Sequence, residues 1–83
     1  MNQTVATWNI EHTDTFGGEA NYSWVNRSEL DIPDSYSRSW IVRKVKEHVG
    51  LTGVRCNVED YGDMFAIRPA GMCQVVFATP ACK

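Results

Sequence analysis

The stretch from residue 37 to residue 49, SRSWIVRKVKEHV, constrains the fold most, because it is the only strong helical pattern in the chain. Four of its apolar residues recur at helical spacing: Ile41, Val42, Val45 and Val49. They cover about 100° of the helix circumference, the usual width of a stripe that faces a core. Gly50 is expected to stop the helix, and Leu51 follows where a Schellman motif takes an apolar residue. One helix cannot bury this stripe by itself, so the rest of the chain must supply a sheet.

Two strands are predicted before the helix, over residues 5–12 and 20–30, because apolar and polar residues alternate there. The loop between them, residues 13–19, contains two consecutive glycines that permit a tight reversal, so the two strands should form a hairpin. In the second strand, Tyr22 and Trp24 are expected on one face. Asp34 or Ser35 is expected to cap the helix with its side-chain oxygen.

Three more strands are predicted after the helix, with inward sets at Val54, Cys56 and Val58, at Phe65 and Ile67, and at Cys73, Val75 and Phe77. The expected common core is Ile41, Val45, Phe65, Ile67, Val75 and Phe77. Val76 and Ala78 make the last strand almost continuously apolar, as in an inner strand. The element order β-β-α-β-β-β with short turns predicts an α+β fold. We expect residues 1–83 to form a single domain, an antiparallel sheet of four to five strands with the helix on one face.

Charge is distributed unevenly along the 83 residues, whose net charge is −2. Residues 1–37 carry six acids and one base, whereas residues 38–83 carry four acids and seven bases. Such asymmetry bears on which partners are attracted. No apolar run is long enough to span a bilayer, and the N-terminal sequence MNQTVATW lacks the pattern of a signal peptide. A cytoplasmic location is therefore expected.

Motifs for a metal site or for catalysis are weak. The three cysteines, Cys56, Cys73 and Cys82, are widely spaced and form no C-x-x-C pair, so we expect neither disulfide, metal nor cofactor. Cys56 and Cys73 are expected to behave as small core residues. His12 and His48 are potential bases, but each has an ordinary explanation at the end of a strand or a helix. The expectation is a protein that is not an enzyme.

Two sets of residues are candidates for binding a partner. On the helix, Trp40 projects away from the apolar stripe together with Arg43, Lys44 and Glu47. Trp and Arg are enriched at binding hot spots. The alternative is that the N-terminal hairpin or tail covers Trp40, or that the helix begins late and leaves Trp40 half-buried at its start. The second set is the Gly-Gly loop, in which Phe16 stands between Asp14 and Glu19. A nucleic-acid contact would instead use the bases of the helix, Arg38, Arg43, Lys44 and Lys46.

Three runs of sequence, FGGEANYSWV at residues 16–25, YGDM at 61–64 and IRP at 67–69, resemble short uncharacterised proteins encoded by phages and prophages. The likeness runs from about Trp8 to Thr79. It implies a protein of a mobile element that acts in a bacterial cytoplasm, and it implies no specific activity or site residue. Small phage proteins often disable a host machine, so we expect an inhibitor that occludes a host protein, in its most concrete form an anti-CRISPR protein. The alternative is a small nucleic-acid-associated phage protein that uses the basic helix face.

Overall fold

A long β-hairpin forms one side of the molecule. In the computed structural model, which describes residues 5–81, strand β1 spans Val5–Phe16 and strand β2 spans Glu19–Pro33. Gly17 and Gly18 join them, with φ of 64° and 86°. Two positive φ values make a turn whose twist suits the flanking strands, and residues with side chains rarely adopt them. The predicted loop of residues 13–19 shrinks to these two glycines, so β1 is longer than expected, and β2 also continues beyond its predicted end at residue 30 to Pro33.

Three further strands complete the sheet: β3 at Cys56–Asp60, β4 at Phe65–Pro69 and β5 at Gln74–Pro80. The order in the sheet is β2-β1-β5-β4-β3, and every neighbouring pair is antiparallel. The predicted α+β fold, with one helix on one face of a five-stranded antiparallel sheet, is confirmed. The last strand lies inside the sheet between β1 and β4, which accounts for its almost continuous apolar sequence.

Helix α1 spans Arg38–His48 and ends as its sequence predicts. Gly50 has φ 81°, its N–H donates to the Glu47 carbonyl, and the Leu51 N–H donates to the Lys46 carbonyl at 2.8 Å. These two bonds are those of a Schellman motif. At the other end the cap is Ser37, whose hydroxyl accepts from the Trp40 N–H, and not Asp34 or Ser35. The chain needs residues 34–36 to turn away from β2, so the cap comes later.

The helix reaches across the sheet from one edge strand to the other, and side chains near its two ends are bonded to these strands. Arg38 forms an ion pair with Asp60 on β3, and His48 is hydrogen-bonded to Ser28 on β2 at 2.8 Å. No helix within residues 5–81 has the length and apolar character needed to cross a bilayer.

The core lies between the helix and the sheet. Its buried members are Trp8, Ile10, Ile32, Ile41, Val45, Leu51, Phe65, Ile67, Val76 and Ala78. Four residues of the predicted core, Ile41, Val45, Phe65 and Ile67, are confirmed. The aromatic rings of Trp8 and Phe65 lie 5.7 Å apart at its centre.

The predicted orientation of β5 is wrong. Val76 and Ala78 face the helix, whereas Val75 and Phe77 point to the opposite side of the sheet. Val75 is still fully buried there, and Phe77 is half-buried. Apolar residues occupy both alternating sets of this inner strand, so alternation cannot say which set faces the helix. Cys73 is exposed before β5 begins, Cys56 is half-buried beside the core, and Cys82 lies outside the described residues.

Candidate functional site

The outer surface of the helix carries an aromatic patch formed by Tyr36, Trp40 and Arg43. Half of the Trp40 side-chain surface is exposed. The Arg43 guanidinium carbon lies 5.0 Å from the centre of the Trp40 ring, close enough for a cation–π contact. On another side the Tyr36 ring lies 6.1 Å from Trp40 at a tilt of 59°. Trp40 is therefore steadied by two neighbours and remains open to solvent.

Tyr36 belongs to this patch although sequence analysis did not single it out. Its N–H donates to the Pro33 carbonyl, and this turn directs the chain from β2 toward the helix. Tyr36 stands four residues before Trp40, which is the spacing of neighbours on a helix surface, but it precedes the helix itself. Its position therefore depends on the turn and not on helical periodicity.

The charges beside the aromatic patch are mixed. Lys44 and Glu47 form an ion pair with each other at 3.4 Å. Arg38 is held away from the patch, because two of its nitrogens donate to Asp60 at 2.6 Å and its guanidinium lies 4.5 Å from the centre of the Phe65 ring. Within residues 5–81, Arg43 and Lys46 are the helix bases without an ion pair. The helix surface is thus a mixed surface centred on aromatic rings.

The tip of the hairpin, residues 16–19, forms a separate surface. Phe16 is 80% exposed and is paired with Glu19, which is also exposed. The Gly18 carbonyl accepts a hydrogen bond of 2.7 Å from Arg68 on β4. Arg68 alternates with the core residue Ile67, so this bond draws the tip toward the face of the sheet that the helix does not cover. The tip and the aromatic patch are therefore not one continuous site.

Asp14 holds a bulge in β2 together. Thr13 pairs with Val25 and Thr15 pairs with Ala20, so residues 21–24 stand opposite Asp14 alone. The Asp14 carboxylate accepts bonds from the Asn21 amide, the Ser23 N–H and the Ser23 hydroxyl, the last at 2.6 Å. These donors, Ser23 first, lower the pKa of Asp14 to about 2. The geometry gives Asp14 a positioning role inside the hairpin.

The bulge separates Tyr22 from Trp24, so the expectation that they share a face is wrong. Tyr22 has φ 59°, a left-handed conformation that is uncommon for a residue with a side chain. Trp24 packs edge-on against His12, with ring centres 5.1 Å apart, on the helix side of the sheet. The Tyr22 hydroxyl donates instead to Glu11 at 2.7 Å, on the opposite side. Bulges commonly re-aim a side chain in this way.

Tyr22 helps to form a groove on the face of the sheet opposite the helix, which we call the sheet groove. It has a volume of about 710 Å³. The lining residues that define its chemistry are Glu11, Tyr22, Arg27, Glu29, Met64 and Phe77. Pairing across the strands explains the arrangement, since Glu11 stands between Arg27 on β2 and Phe77 on β5.

Hydrogen bonds order the charged wall of the sheet groove. Glu11 accepts from Tyr22 and, at 2.9 Å, from the Arg27 guanidinium. These donors, Tyr22 first, lower the pKa of Glu11, and the same bond to Glu11 raises the pKa of Tyr22. The sequence carried one signal of this groove, the presence of apolar residues in both alternating sets of β5, but which residues form its wall depends on which strands are neighbours.

Both histidines are hydrogen-bonded to a polar side chain of another element. His12 is bonded to Gln74 at 3.0 Å, and His48 to Ser28. Within residues 5–81, no group of three or more His, Cys, Asp or Glu side chains is placed to hold a metal ion.

Comparisons with protein-family models, with curated proteins and with solved structures found no match to this chain.

Proposed function

We propose that this chain is a phage-type accessory protein that binds a host protein through its aromatic patch and blocks it by occluding its surface. The observation that carries the proposal is the exposed Trp40 ring with Arg43 stacked on it. An aromatic ring of this size is costly to leave in water, and Trp and Arg are both among the residue types enriched at binding hot spots. An inhibitor of a CRISPR nuclease, or of another bacterial defence system, is the concrete form of this function.

The alternative is a nucleic-acid-associated protein that uses the basic helix face. A nucleic-acid surface needs several cations aligned to neutralise phosphates. Asp60 and Glu47 already engage two of the four bases on this helix, Arg38 and Lys44. The mixed charge around an aromatic centre supports a protein partner over a polyanion. Binding to a 30-base-pair duplex that weakens steeply with added salt would favour the alternative.

The binding test uses Trp40→Ala, with Phe16→Ala as its matched control. The tagged proteins are used to retain partners from bacterial lysate, retained proteins are identified by mass spectrometry, and affinity is then measured with the purified partner. Trp40→Ala should weaken binding by about 2 kcal/mol or more while the melting temperature barely changes. Phe16→Ala should leave affinity unchanged.

Two results would contradict this assignment of the face. A fall in stability of a few kcal/mol in Trp40→Ala would mean that Trp40 belongs to the core. Loss of binding in Phe16→Ala, with Trp40→Ala unaffected, would place the binding surface at the hairpin tip with Asp14 and Glu19.

The anti-defence function has its own test. The plating efficiency of a phage is measured on bacteria whose CRISPR system targets it, with and without expression of the protein. We expect wild type and Phe16→Ala to restore plating and Trp40→Ala to fail. Unchanged plating with wild type across the main CRISPR classes would reject this form of the proposal.

A further inference from the structure

The sheet groove presents apolar surface that no element within residues 5–81 covers. Phe77 stands on β5 at its floor and is half-buried, and Met64 lies beside it before β4. The helix is on the other side of the sheet, and the hairpin tip is bonded to Arg68 further along β4. An open groove of about 710 Å³ with an aromatic floor has the dimensions of a binding site for a few side chains.

The shape of the sheet groove is maintained by a costly local structure. Tyr22 adopts a left-handed backbone conformation, which is unfavourable for a residue with a side chain. Asp14 holds the surrounding bulge, and the result is that Tyr22 stands over Glu11 on the groove side of the sheet. Without the bulge, alternation would place Tyr22 on the same side as Trp24. Strain of this kind is concentrated at functional sites.

The charge of the wall selects the partner. Glu11 forms an ion pair with Arg27, whose guanidinium is part of the wall, whereas Glu29 has no ion pair within residues 5–81. The groove therefore offers an unneutralised carboxylate beside an aromatic floor. A second copy of the chain would bring the same carboxylates together, and like charges across an interface are unfavourable.

We propose that the sheet groove is a second docking surface, which takes an extended segment of a partner protein where an arginine or lysine is flanked by aromatic side chains. The cation meets Glu29 and Glu11, and a flanking ring lies on Phe77 and Met64. This surface is independent of the aromatic patch, since the two lie on opposite sides of the sheet.

The test is a titration of the isotope-labelled protein with two short probe peptides, followed by NMR. The probes are N-acetyl-Phe-Arg-Phe amide and its acidic match, N-acetyl-Phe-Glu-Phe amide. The arginine peptide should shift the backbone amides of Glu11, Glu29 and Phe77 in a saturable way and leave the Trp40 indole signal in place. The glutamate peptide should leave all of these signals unchanged.

Two variants identify the carboxylate responsible. Glu29→Gln removes a charge at an exposed position, so the variant should keep its fold. Its affinity for the arginine peptide should be lower by about fivefold or more. Glu19→Gln, an exposed acid outside the groove, is the matched control and should bind as wild type does.

Three outcomes would overturn this inference. They are equal binding of both peptides, shifts centred on Trp40, and a concentration-dependent dimer whose contact maps to the groove. The NMR shifts report on Glu29 and Phe77 and not on Trp40. They therefore test the sheet groove even if Trp40→Ala does not change binding of the proposed host partner.

Discussion

Single side chains tie the helix to the sheet at its outer edge. Arg38 donates two bonds to Asp60 and a third, of 2.9 Å, to the Gly62 carbonyl, while its plane lies on Phe65. Arg38 and the Gly62 N–H lower the pKa of Asp60 to about 2, against an ordinary value of 3.8. A planar guanidinium can make all these contacts at once, which an ammonium could not.

The first prediction follows from the lowered pKa of Asp60. A carboxyl whose pKa is depressed by folding stabilises the fold above its unfolded pKa, and this contribution is lost as the pH falls through the folded value. Stability should therefore decline between about pH 4 and pH 2, in part through Asp60. Urea unfolding at a series of pH values measures this decline.

The matched variants are Asp60→Asn and Asp63→Asn, which lie in the same turn. Asp60→Asn should flatten the decline, whereas Asp63→Asn should follow wild type. Asp14 titrates in the same range in all three proteins. The informative quantity is therefore the difference between the proteins in how their free energy of unfolding changes with pH. Identical slopes for Asp60→Asn and wild type would show that the ion pair does not act on stability.

At the scale of elements, the helix is held to the sheet mainly by packing. Ile41 and Val45 enter a surface built by β1, β2, β4 and β5, and Val45 is completely buried. The helix is short, and a helix of this length is marginal without its tertiary contacts. The stability of the helix therefore depends on how closely Ile41 and Val45 pack against the sheet.

The second prediction concerns that stripe. Val45→Ala should lower the free energy of unfolding by about 1–3 kcal/mol, because two methyl groups are lost and a cavity remains. The denaturation midpoint in urea measures the change. Val58→Ala on β3, at a side chain that is 43% exposed, is the control and should cost far less. Equal midpoints for the two variants would mean that Val45 does not dock the helix.

At the scale of the whole molecule, the sheet joins the two ends of the chain. Strand β5 pairs with β1 on one side and with β4 on the other, and the helix core draws on both halves. Neither the hairpin nor the C-terminal strands can keep the core without the other. Domains of this size usually unfold in one cooperative transition.

The third prediction is that residues 1–83 unfold as a single domain. Tryptophan fluorescence and far-UV circular dichroism should give the same urea midpoint, and the calorimetric enthalpy should equal the van't Hoff enthalpy. Fluorescence that changes clearly before circular dichroism would show that the hairpin and the remaining strands come apart separately.

The elements whose signals are local could be predicted from the order of the amino acids. The apolar stripe, Gly50 and Leu51 together specify where the helix lies and how it ends, since the helical period and the two closing hydrogen bonds each involve residues close in sequence. Alternation likewise predicted the first strand, in which Trp8 and Ile10 lie on the side that the core covers. The α+β class followed from the order of these elements.

Features that depend on the pairing of strands distant in sequence could not be predicted in this way. The order of the strands made β5 an inner strand, which placed Val76 on the helix side and left Phe77 in the sheet groove. The bulge that turns Tyr22 toward Glu11 needs the register of β1 against β2, and alternation alone assigns it to the wrong face. The exposure of Trp40 is a further example. Its position on the helix was compatible with either burial or exposure, and because no segment within residues 5–81 covers it, half of its surface is exposed.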